Sequence, residues 1–267
     1  MYFAGGSYEL NTWFESQKYA KQMSQDGGDN PCIYEKGSNL SLGIEPGLVA
    51  YWKLDEGEGT TAKDSSGNNN DGTLKNGPQW IEGKVGMALE FDGNDDYVDC
   101  GSDSSLDITD ELTVEAWIYP TAVPSGQGRT VVSRYHYHAP PTPDTGWNLG
   151  RVWGSDDWFR FRVEDGAGNR SWAVKSNFWS TYLNQWVHVV GVFKASEYIR
   201  LYINGELVDN NTTNVVSTIA YERPLVIGAR ANTTQSFFQG IIDEVRVYHR
   251  ALSSSEIRRH YLATKGS

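Results

Sequence analysis

A loop rich in carboxylate and amide oxygens lies in the first third of the chain. It reads Asp64-Ser-Ser-Gly-Asn-Asn-Asn-Asp71. Oxygen ligands at this density are the kind that bind a hard cation such as calcium, although the terminal bidentate Glu of an EF-hand is missing. The alternative is that these side chains only accept hydrogen bonds from their own backbone, as in Asx turns. Asp243 follows Ile241-Ile242 in an apolar strand, where a carboxylate must be paired or metal-bound to offset its desolvation.

Two further groups of polar side chains are weaker candidates for a metal site. Asp92-Gly-Asn-Asp-Asp96 has the composition of an ordinary turn. His136 and His138 are two residues apart, so on a strand they would share a face and could hold a transition metal. No third ligand is evident in the sequence, and a polar loop is the simpler interpretation.

Aromatic residues and arginines are concentrated between Arg134 and Trp179. Aromatic rings stack on the apolar faces of sugars, and arginine side chains donate hydrogen bonds to hydroxyl groups, so this composition suits a small-ligand site. The alternative is that a covering loop buries the tryptophans. The candidate carbohydrate-binding residues are Tyr135, Trp147, Arg151, Trp153, Trp158 and Trp172.

The arginines of this region suggest which polysaccharide would bind. Local positive charge among aromatic rings suits a carboxylated or sulfated sugar, because arginine holds such groups with two parallel hydrogen bonds. The expected ligand is a neutral or acidic polysaccharide. Alternatively, the arginines only pair with neighbouring acids on a solvated face. The arginines are Arg134, Arg151, Arg160, Arg162 and Arg170, and the acids are Asp156, Asp157, Glu164 and Asp165.

Catalysis is not expected from this sequence. A retaining glycosidase needs two carboxylates held close together, and Glu115 has no acidic neighbour two or four residues further on in its strand. The sequence also contains no Gly-x-Ser-x-Gly elbow, phosphate-binding Gly-Lys motif or His-Glu-x-x-His helix.

Charge and hydropathy restrict the possible partners. The formal net charge is −11, which argues against nucleic acid and anionic membrane surfaces, since both need clustered Lys and Arg. No run of residues is apolar enough to span a bilayer. Two cysteines, Cys32 and Cys100, exclude a four-cysteine zinc site. They form either one disulfide, which an extracellular setting would permit, or two unpaired apolar residues.

The elements that must position these residues are mostly strands. Apolar and polar residues alternate in segments such as Trp158-Phe-Arg-Phe-Arg-Val163, which predicts strands with one buried face. Asn204-Gly205 predicts a two-residue hairpin. Ser253-Ser-Ser-Glu256 predicts the capping box of a short C-terminal helix. Many short strands predict an all-β fold, either a two-sheet antiparallel sandwich or a jelly roll.

Several segments in order resemble the laminin-G-like, concanavalin-A-like jelly-roll family over residues 47–263. They include Gly47-Leu-Val-Ala-Tyr-Trp-Lys-Leu-Asp55, Gly86-Met-Ala-Leu-Glu-Phe-Asp-Gly93, Thr113-Val-Glu-Ala-Trp-Ile118, Leu201-Tyr-Ile-Asn-Gly205 and Gly240-Ile-Ile-Asp-Glu-Val-Arg-Val-Tyr248. The resemblance implies a secreted or cell-surface lectin-like module that binds a polysaccharide or cell-surface glycan, or serves as an adhesion domain or spacer. It also implies one structural calcium ion, with ligands at Asp64, Asn68 and Asp243 and with Asp55 nearby.

Residues 1–46 form an N-terminal extension to the domain of residues 47–267. Tyr8-Glu-Leu-Asn-Thr-Trp-Phe-Glu-Ser-Gln-Lys-Tyr19 and Tyr34-Glu-Lys-Gly37 resemble the end of a type IV pilin or pseudopilin head, over residues 7–45. That resemblance implies pilin subunits as partners and a structural display domain with no sugar ligand. The alternative is a linker that adds one strand to the sandwich edge.

Overall fold

Period-two alternation produces nineteen strands in the residues that the structure, a computed structural model, describes. These residues are 2–4, 7–12, 34–37, 45–124, 127–138, 140–153, 157–231 and 236–266; of the first three segments and of residues 127, 152 and 153, only the backbone is described. The first nine strands are β1 (Tyr2–Ala4), β2 (Ser7–Thr12), β3 (Tyr34–Gly37), β4 (Leu48–Trp52), β5 (Thr61–Ala62), β6 (Gly72–Lys75), β7 (Gln79–Glu82), β8 (Met87–Asp92) and β9 (Tyr97–Asp99).

The remaining strands carry the longest pairings. They are β10 (Glu111–Pro120), β11 (Gln127–Ser133), β12 (Thr145–Trp153), β13 (Trp158–Asp165), β14 (Arg170–Ser176), β15 (Val187–Lys194), β16 (Tyr198–Ile203), β17 (Glu206–Asn211), β18 (Val226–Ile227) and β19 (Gln239–Tyr248). The helical elements are a 3-10 turn (Ser104–Leu106), α1 (Phe178–Tyr182) and α2 (Ser254–Thr264).

Two eight-stranded antiparallel sheets pack face to face. The first sheet has the order β17-β16-β15-β10-β19-β8-β7, and β4 also pairs with β19. The second sheet has the order β14-β13-β12-β11-β18-β9-β6-β5. This confirms the predicted all-β jelly-roll sandwich with a short C-terminal helix.

The inner faces of the two sheets form one hydrophobic core. Trp52, Phe91 and Val189 of the first sheet and Leu149 and Phe161 of the second are buried in it. The two sheets approach most closely where glycine is required: a Cβ at position 191 of β15 would lie 2.3 Å from the Phe161 ring. Dense packing of this kind leaves no room for a larger residue there.

The predicted hairpin at Asn204-Gly205 and the predicted capping box at Ser253 are both confirmed. Asn204 and Gly205 have φ angles of 51° and 77°, the left-handed conformation that a type I′ hairpin needs at both positions. At the start of α2, the Ser253 hydroxyl accepts a hydrogen bond from the Glu256 backbone N–H, and the Glu256 carboxylate accepts one from the Ser253 N–H. Because α2 begins at this cap, its residue Ile257 packs in a second cluster with Tyr202 and Tyr248, on the outer face of the first sheet.

The first and last strands of the sandwich are neighbours. In the β4–β19 pair, Leu48 lies opposite Tyr248 and Trp52 opposite Val245. Just before β4, the Gly47 carbonyl accepts a hydrogen bond from the His249 N–H. The chain therefore enters the sandwich at the start of β4 and passes out of its last strand at the end of β19, and these two points lie at the same end of the strand pair.

The described strands of the N-terminal extension form a small sheet of their own, in the order β1-β2-β3. These strands are not paired with the described strands of the sandwich, so the expected added edge strand is not seen there. Most of the segment that resembles a pilin head, residues 13–33 and 38–44, lies outside the described residues. In the part of the chain that is described, no helix is long and apolar enough to cross a membrane.

Candidate functional site

Two of the predicted aromatic residues are exposed on the outer face of the second sheet, on adjacent strands. Trp158 begins β13 and Trp172 lies on β14, and their exposed fractions are 40% and 42%. Trp158 pairs with Ser176, whereas Trp172 pairs with Arg162, four residues further along β13. From the rise of a strand and the spacing between strands, the two Cα atoms are about 14 Å apart.

The residues between the two rings are the arginines of β13. Arg160 and Arg162 alternate with Phe159 and Phe161, which point into the core, so both arginines share the outer face with Trp158. The Arg160 guanidinium lies 4.6 Å from the centre of the Trp158 ring, within cation–π range. We call Trp158, Arg160, Arg162 and Trp172 the open face.

Arg162 is already compensated by acidic side chains. Its Nε donates a hydrogen bond of 2.5 Å to Glu164, and its Nη2 lies 3.6 Å from Asp144 Oδ2. The same Asp144 oxygen accepts a hydrogen bond of 2.5 Å from the Tyr135 hydroxyl. Burial raises the pKa of Glu164 to about 7, while Arg162 opposes this rise. Arg162 therefore pairs with Glu164, as the alternative interpretation expects, but the pair is buried (Arg162 is 8% exposed) and does not lie on a solvated face.

Three predicted sugar-binding residues are buried and do not belong to the open face. Trp147 packs in the core, paired with Val163 of β13, and is 1% exposed. Arg151 follows it on the same side of β12, is buried, and donates to the Pro124 carbonyl through Nη1. Tyr135 is also buried, beneath Arg162. Trp153 pairs with Gln127 through its backbone, and its side chain lies outside the described residues.

The other acids of this region mainly stabilise local structure. Asp157 accepts a hydrogen bond of 2.6 Å from the Trp179 N–H in α1. Asp165 accepts hydrogen bonds from the N–H groups of Ala167 and Asn169 in the turn before β14. Arg134 pairs with Asp107 at 2.6 Å, away from β13. Asp156 lies outside the described residues.

The four predicted calcium ligands do not form one set. Both carboxylate oxygens of Asp64 accept backbone hydrogen bonds: Oδ1 from the Tyr51 N–H of β4 and Oδ2 from the Asn70 N–H of its own loop, each at 2.9 Å. Asn68 turns its amide nitrogen, a donor, toward the Val49 carbonyl at 2.9 Å. Asp55 accepts a hydrogen bond of 2.8 Å from the Met87 N–H. The hydrogen bond from the Ser66 N–H to Asp64 Oδ1, at 2.8 Å, is the Asx turn of the alternative interpretation. The contacts with Tyr51, Val49 and Met87 instead attach these side chains to distant backbone.

Asp243 lies elsewhere, on the outer face of the first sheet opposite Trp117. Its Oδ2 accepts hydrogen bonds from the N–H groups of Lys84 and Val85, at 2.8 and 2.9 Å, in the β7–β8 turn. Its Oδ1 is buried without a hydrogen-bond partner. Burial raises the pKa of Asp243 to about 8. The residues present therefore do not fit a single calcium ion shared by Asp64 and Asp243.

The structure also gives the state of one predicted disulfide partner. Cys100 is a free thiol, buried in the core directly after β9, and the Cβ of a residue at position 72 would lie 3.3 Å from its sulfur. Cys100 therefore packs in the core as a free thiol and not as a partner in the predicted disulfide. Cys32 lies outside the described residues.

Among the described residues, two clusters bring three His, Cys, Asp or Glu ligand atoms within 4.8 Å of one another. One is Asp92, Asp95 and Asp96, the acidic turn, where Asp92 accepts a hydrogen bond of 2.8 Å from the Asn94 N–H, as expected for turn chemistry. The other joins His136 and His138 to Glu222. Glu222 could not be predicted from the sequence, because it is 86 positions from His136 and carries no local signal.

Glu115, in the middle of β10, lies beneath α2 and is fully buried. Its Oε1 lies 3.0 Å from His260 Nδ1 and 3.2 Å from Arg246 Nη1, and its Oε2 lies 3.5 Å from His188 Nε2. Glu45 contacts the other nitrogen of the His260 ring at 3.0 Å. We call these five residues the buried ionic cluster.

Opposite charges hold His260 and Glu115 in their charged forms, whereas burial lowers the pKa of His188. Burial disfavours the His260 cation, but the carboxylates of Glu115 and Glu45 raise the pKa of His260 to about 9. Burial likewise disfavours the Glu115 anion, yet His260, His188 and Arg246 keep its pKa well below the usual value. The cluster is a structural feature that attaches α2 to the first sheet.

Comparison with known proteins identifies the fold independently. The family model described as "Concanavalin A-like lectin/glucanases superfamily" matches residues 92–258. The "Botulinum-like toxin eBoNT/J" of Enterococcus sp. (strain 3G1_DIV0629) is 25% identical over 211 residues, which cover 74% of this chain. The chain spans only 16% of the length of that toxin.

Two solved structures share the architecture at 21% identity. The binding domain of Paraclostridial Mosquitocidal Protein 1 superposes with a TM-score of 0.63, covering 80% of this chain and 52% of that one. Domain 4 of AbnA, a GH43 extracellular arabinanase from Geobacillus stearothermophilus, in complex with arabinotriose, gives a TM-score of 0.60, with coverages of 79% and 96%. Likeness at this level of identity establishes the fold.

Proposed function

Because the chain belongs to the concanavalin A-like lectin/glucanases superfamily, we propose that it is a non-catalytic, secreted or cell-surface module that binds polysaccharide through the open face. The proposal depends on one observation: Trp158 and Trp172 are exposed on adjacent strands and share one face of the second sheet.

The spacing of the two rings suits an extended ligand. Two rings whose Cα atoms are about 14 Å apart on a regular sheet can stack on separate sugar rings of one chain, with Arg160 between them to donate hydrogen bonds to hydroxyl groups. A monosaccharide would contact only one ring at a time. We therefore expect an oligosaccharide or polysaccharide to bind more tightly than its monomer.

The named relatives support a binding role. One solved relative is a binding domain of a mosquitocidal protein, and another is an arabinanase domain in complex with arabinotriose. The second belongs to an extracellular enzyme, which supports the proposed location. Arabinotriose is a neutral oligosaccharide, so arabinan is a suitable first probe.

The pairing of Arg162 bears on which polysaccharide is preferred. Glu164 and Asp144 already compensate the charge of Arg162. A carboxylated sugar would therefore have to displace one of these acids, or else place its own negative charge next to both of them. We therefore favour a neutral polysaccharide over an acidic one.

Isothermal titration of the whole chain against arabinan, cellulose oligosaccharides and polygalacturonate tests the proposal. We expect binding to a neutral polysaccharide that weakens at least about fivefold in Trp158→Ala and in Trp172→Ala, since stacking of a nucleic-acid base on one aromatic ring, a comparable contact, contributes about 1–3 kcal/mol. Leu207→Ala is the matched control, because Leu207 is a similarly exposed apolar residue (46%) on the first sheet. Its affinity should equal that of the unmodified chain.

Two outcomes would contradict the proposal. Absence of binding to every polysaccharide would favour the alternative of a display domain with no sugar ligand. Binding that survives both tryptophan substitutions would place the ligand on another surface.

A further inference from the structure

We propose that His136, His138 and Glu222 form a binding site for zinc or a similar divalent transition metal ion. This site is distinct from the open face and does not depend on the proposed polysaccharide binding. It uses two imidazoles and one carboxylate, a donor set that zinc takes in proteins with a fourth position left for water.

The three ligand atoms already face one point. Glu222 Oε2 lies 3.1 Å from His136 Nδ1 and 3.0 Å from His138 Nε2. The two imidazole rings have their centres 3.9 Å apart. With zinc–ligand bonds of about 2.0–2.1 Å, two ligands of a tetrahedral ion lie about 3.3 Å apart. Small side-chain adjustments are enough to admit the ion.

One of these nitrogens lacks a hydrogen bond in the structure. His138 Nε2 is buried from solvent and, despite its closeness to Glu222, forms no hydrogen bond of acceptable geometry. A bound cation would contact this nitrogen lone pair and the Glu222 carboxylate oxygen together. Without a cation, a favourable contact between these two atoms depends on protonation of the imidazole. Glu222 is 49% exposed, so water can reach the fourth position.

The backbone holds the two histidines in place. His136 pairs with Thr145 through two hydrogen bonds, from the His136 N–H at 2.8 Å and from the Thr145 N–H at 3.1 Å. The His138 N–H donates to Asp144 Oδ1 at 3.0 Å. Because alternate residues of an extended segment share a face, both rings point the same way. Glu222 reaches them from the segment before β18, which already contacts the histidine segment through the Arg134 Nε hydrogen bond to the Arg223 carbonyl. An ion would add a second link between these two segments.

Arg223 competes with the ion. One of its guanidinium nitrogens lies 2.9 Å from His136 Nε2, which makes that nitrogen the acceptor and places the ring proton on Nδ1. A metal on Nδ1 requires the opposite tautomer, so the Arg223 side chain must move away. Arg223 is exposed, and it has room to do so. Removing its side chain charge should strengthen metal binding.

Isothermal titration of the untagged chain with zinc chloride, and separately with calcium chloride, at pH 7.5 tests the proposal. We expect one zinc ion per chain and no comparable calcium binding, since imidazole ligands select transition metals. His138→Ala and the conservative Glu222→Gln should each weaken zinc binding at least about tenfold, whereas Arg223→Gln should strengthen it.

Two control variants identify the site. His249→Ala removes an exposed histidine elsewhere, and Asp95→Asn alters the acidic turn; neither should change zinc affinity. Circular dichroism of each variant establishes that it is folded. No zinc binding by the unmodified chain would overturn the proposal and leave an ordinary ion pair. Unchanged affinity in both His138→Ala and Glu222→Gln, or loss of zinc binding in Asp95→Asn, would also overturn it.

Discussion

The outer faces of the two sheets differ in what covers them. On the first sheet, α2 buries Tyr202, Tyr248 and Ile257 and lies over the buried ionic cluster. On the second sheet, Trp158 and Trp172 are about two-fifths exposed. Both faces carry aromatic residues and arginines, so composition alone does not distinguish them.

The difference shows how the same residue types serve stability on one face and recognition on the other. Arg246 of the first sheet is buried between Glu115 and Glu244, and removing Glu115 would leave the buried charges of Arg246 and His260 only partly compensated. Arg160 of the second sheet lies over a tryptophan at the surface. The ion pairs beneath α2 should therefore control stability on the first face, whereas substitutions of the exposed Trp158 and Trp172 on the second face should affect binding far more than stability.

The largest expected effect is on the covered face. Glu115→Ala should lower the free energy of unfolding by about 3–5 kcal/mol, because it leaves Arg246 and His260 without their shared carboxylate. Urea denaturation measures this. Glu197→Gln is the control, since Glu197 is 56% exposed and its pair with Lys194 should contribute less than about 1 kcal/mol. Equal effects of the two variants would remove the distinction between the faces.

A pair of tryptophan substitutions compares the core with the open face. Trp147→Ala should cost about 3–5 kcal/mol of stability, because it leaves a cavity between the sheets. Trp172→Ala should cost less than about 1 kcal/mol, since the ring is exposed. Thermal melts of both variants give the comparison. A large loss in Trp172→Ala would mean that the open face is structural.

Stability should fall as pH rises above neutrality. The pKa of His260 is about 9 in the folded chain, against an ordinary value of 6.5. Its contribution is therefore fully present below pH 6.5 and is lost as pH rises through 9, by about 3 kcal/mol in total. Urea denaturation at pH 6, 7.5 and 9 measures the fall.

His260→Gln is the control for this pH dependence. Asp243 and Glu164, whose pKa values are raised to about 8 and about 7, contribute in the same direction. The variant should therefore flatten the decline without abolishing it. A decline of unchanged slope would assign the effect to those two acids.

The smallest expected effect concerns Asp243. Asp243→Ala should cost about 2 kcal/mol, because two backbone N–H groups lose their acceptor. Asp243→Asn keeps a carbonyl oxygen and should be close to neutral. Chelation with EDTA should not change the melting temperature of the unmodified chain. A fall in melting temperature on chelation that occurs in the unmodified chain but not in Asp243→Ala would indicate that Asp243 binds calcium.

The fold could be predicted because its signals are local. The alternation in β13, the Asn204-Gly205 hairpin and the Ser253 cap each depend on neighbouring residues. The same alternation places Trp158 with the arginines and away from Phe159, so its exposure could have been predicted. In β12 the sequence does not show which face is buried, because Trp147 and the adjacent Asn148 could each lie on the inner or the outer side of the sheet.

The rest of the candidate site depends on distant residues. Asp64 is satisfied by backbone N–H groups of Tyr51 and Asn70, which sequence could not distinguish from a metal ion. His136 gains Glu222 only because the chain returns to the same sheet at β18. Glu115 has partners on β15, β19 and α2, and only the assembled fold brings them together.

The pairing of β4 with β19 has a mechanical consequence. Leu48, at the start of β4, lies opposite Tyr248, at the end of β19. A force that pulls the flanking segments apart would act at this one end, and would open the hydrogen bonds one after another instead of shearing them together. Glu45 lies at this fork, bonded to Tyr248 at 2.5 Å and to His260 at 3.0 Å. Resistance to tension at this fork should thus depend on one carboxylate more than on the length of the strands.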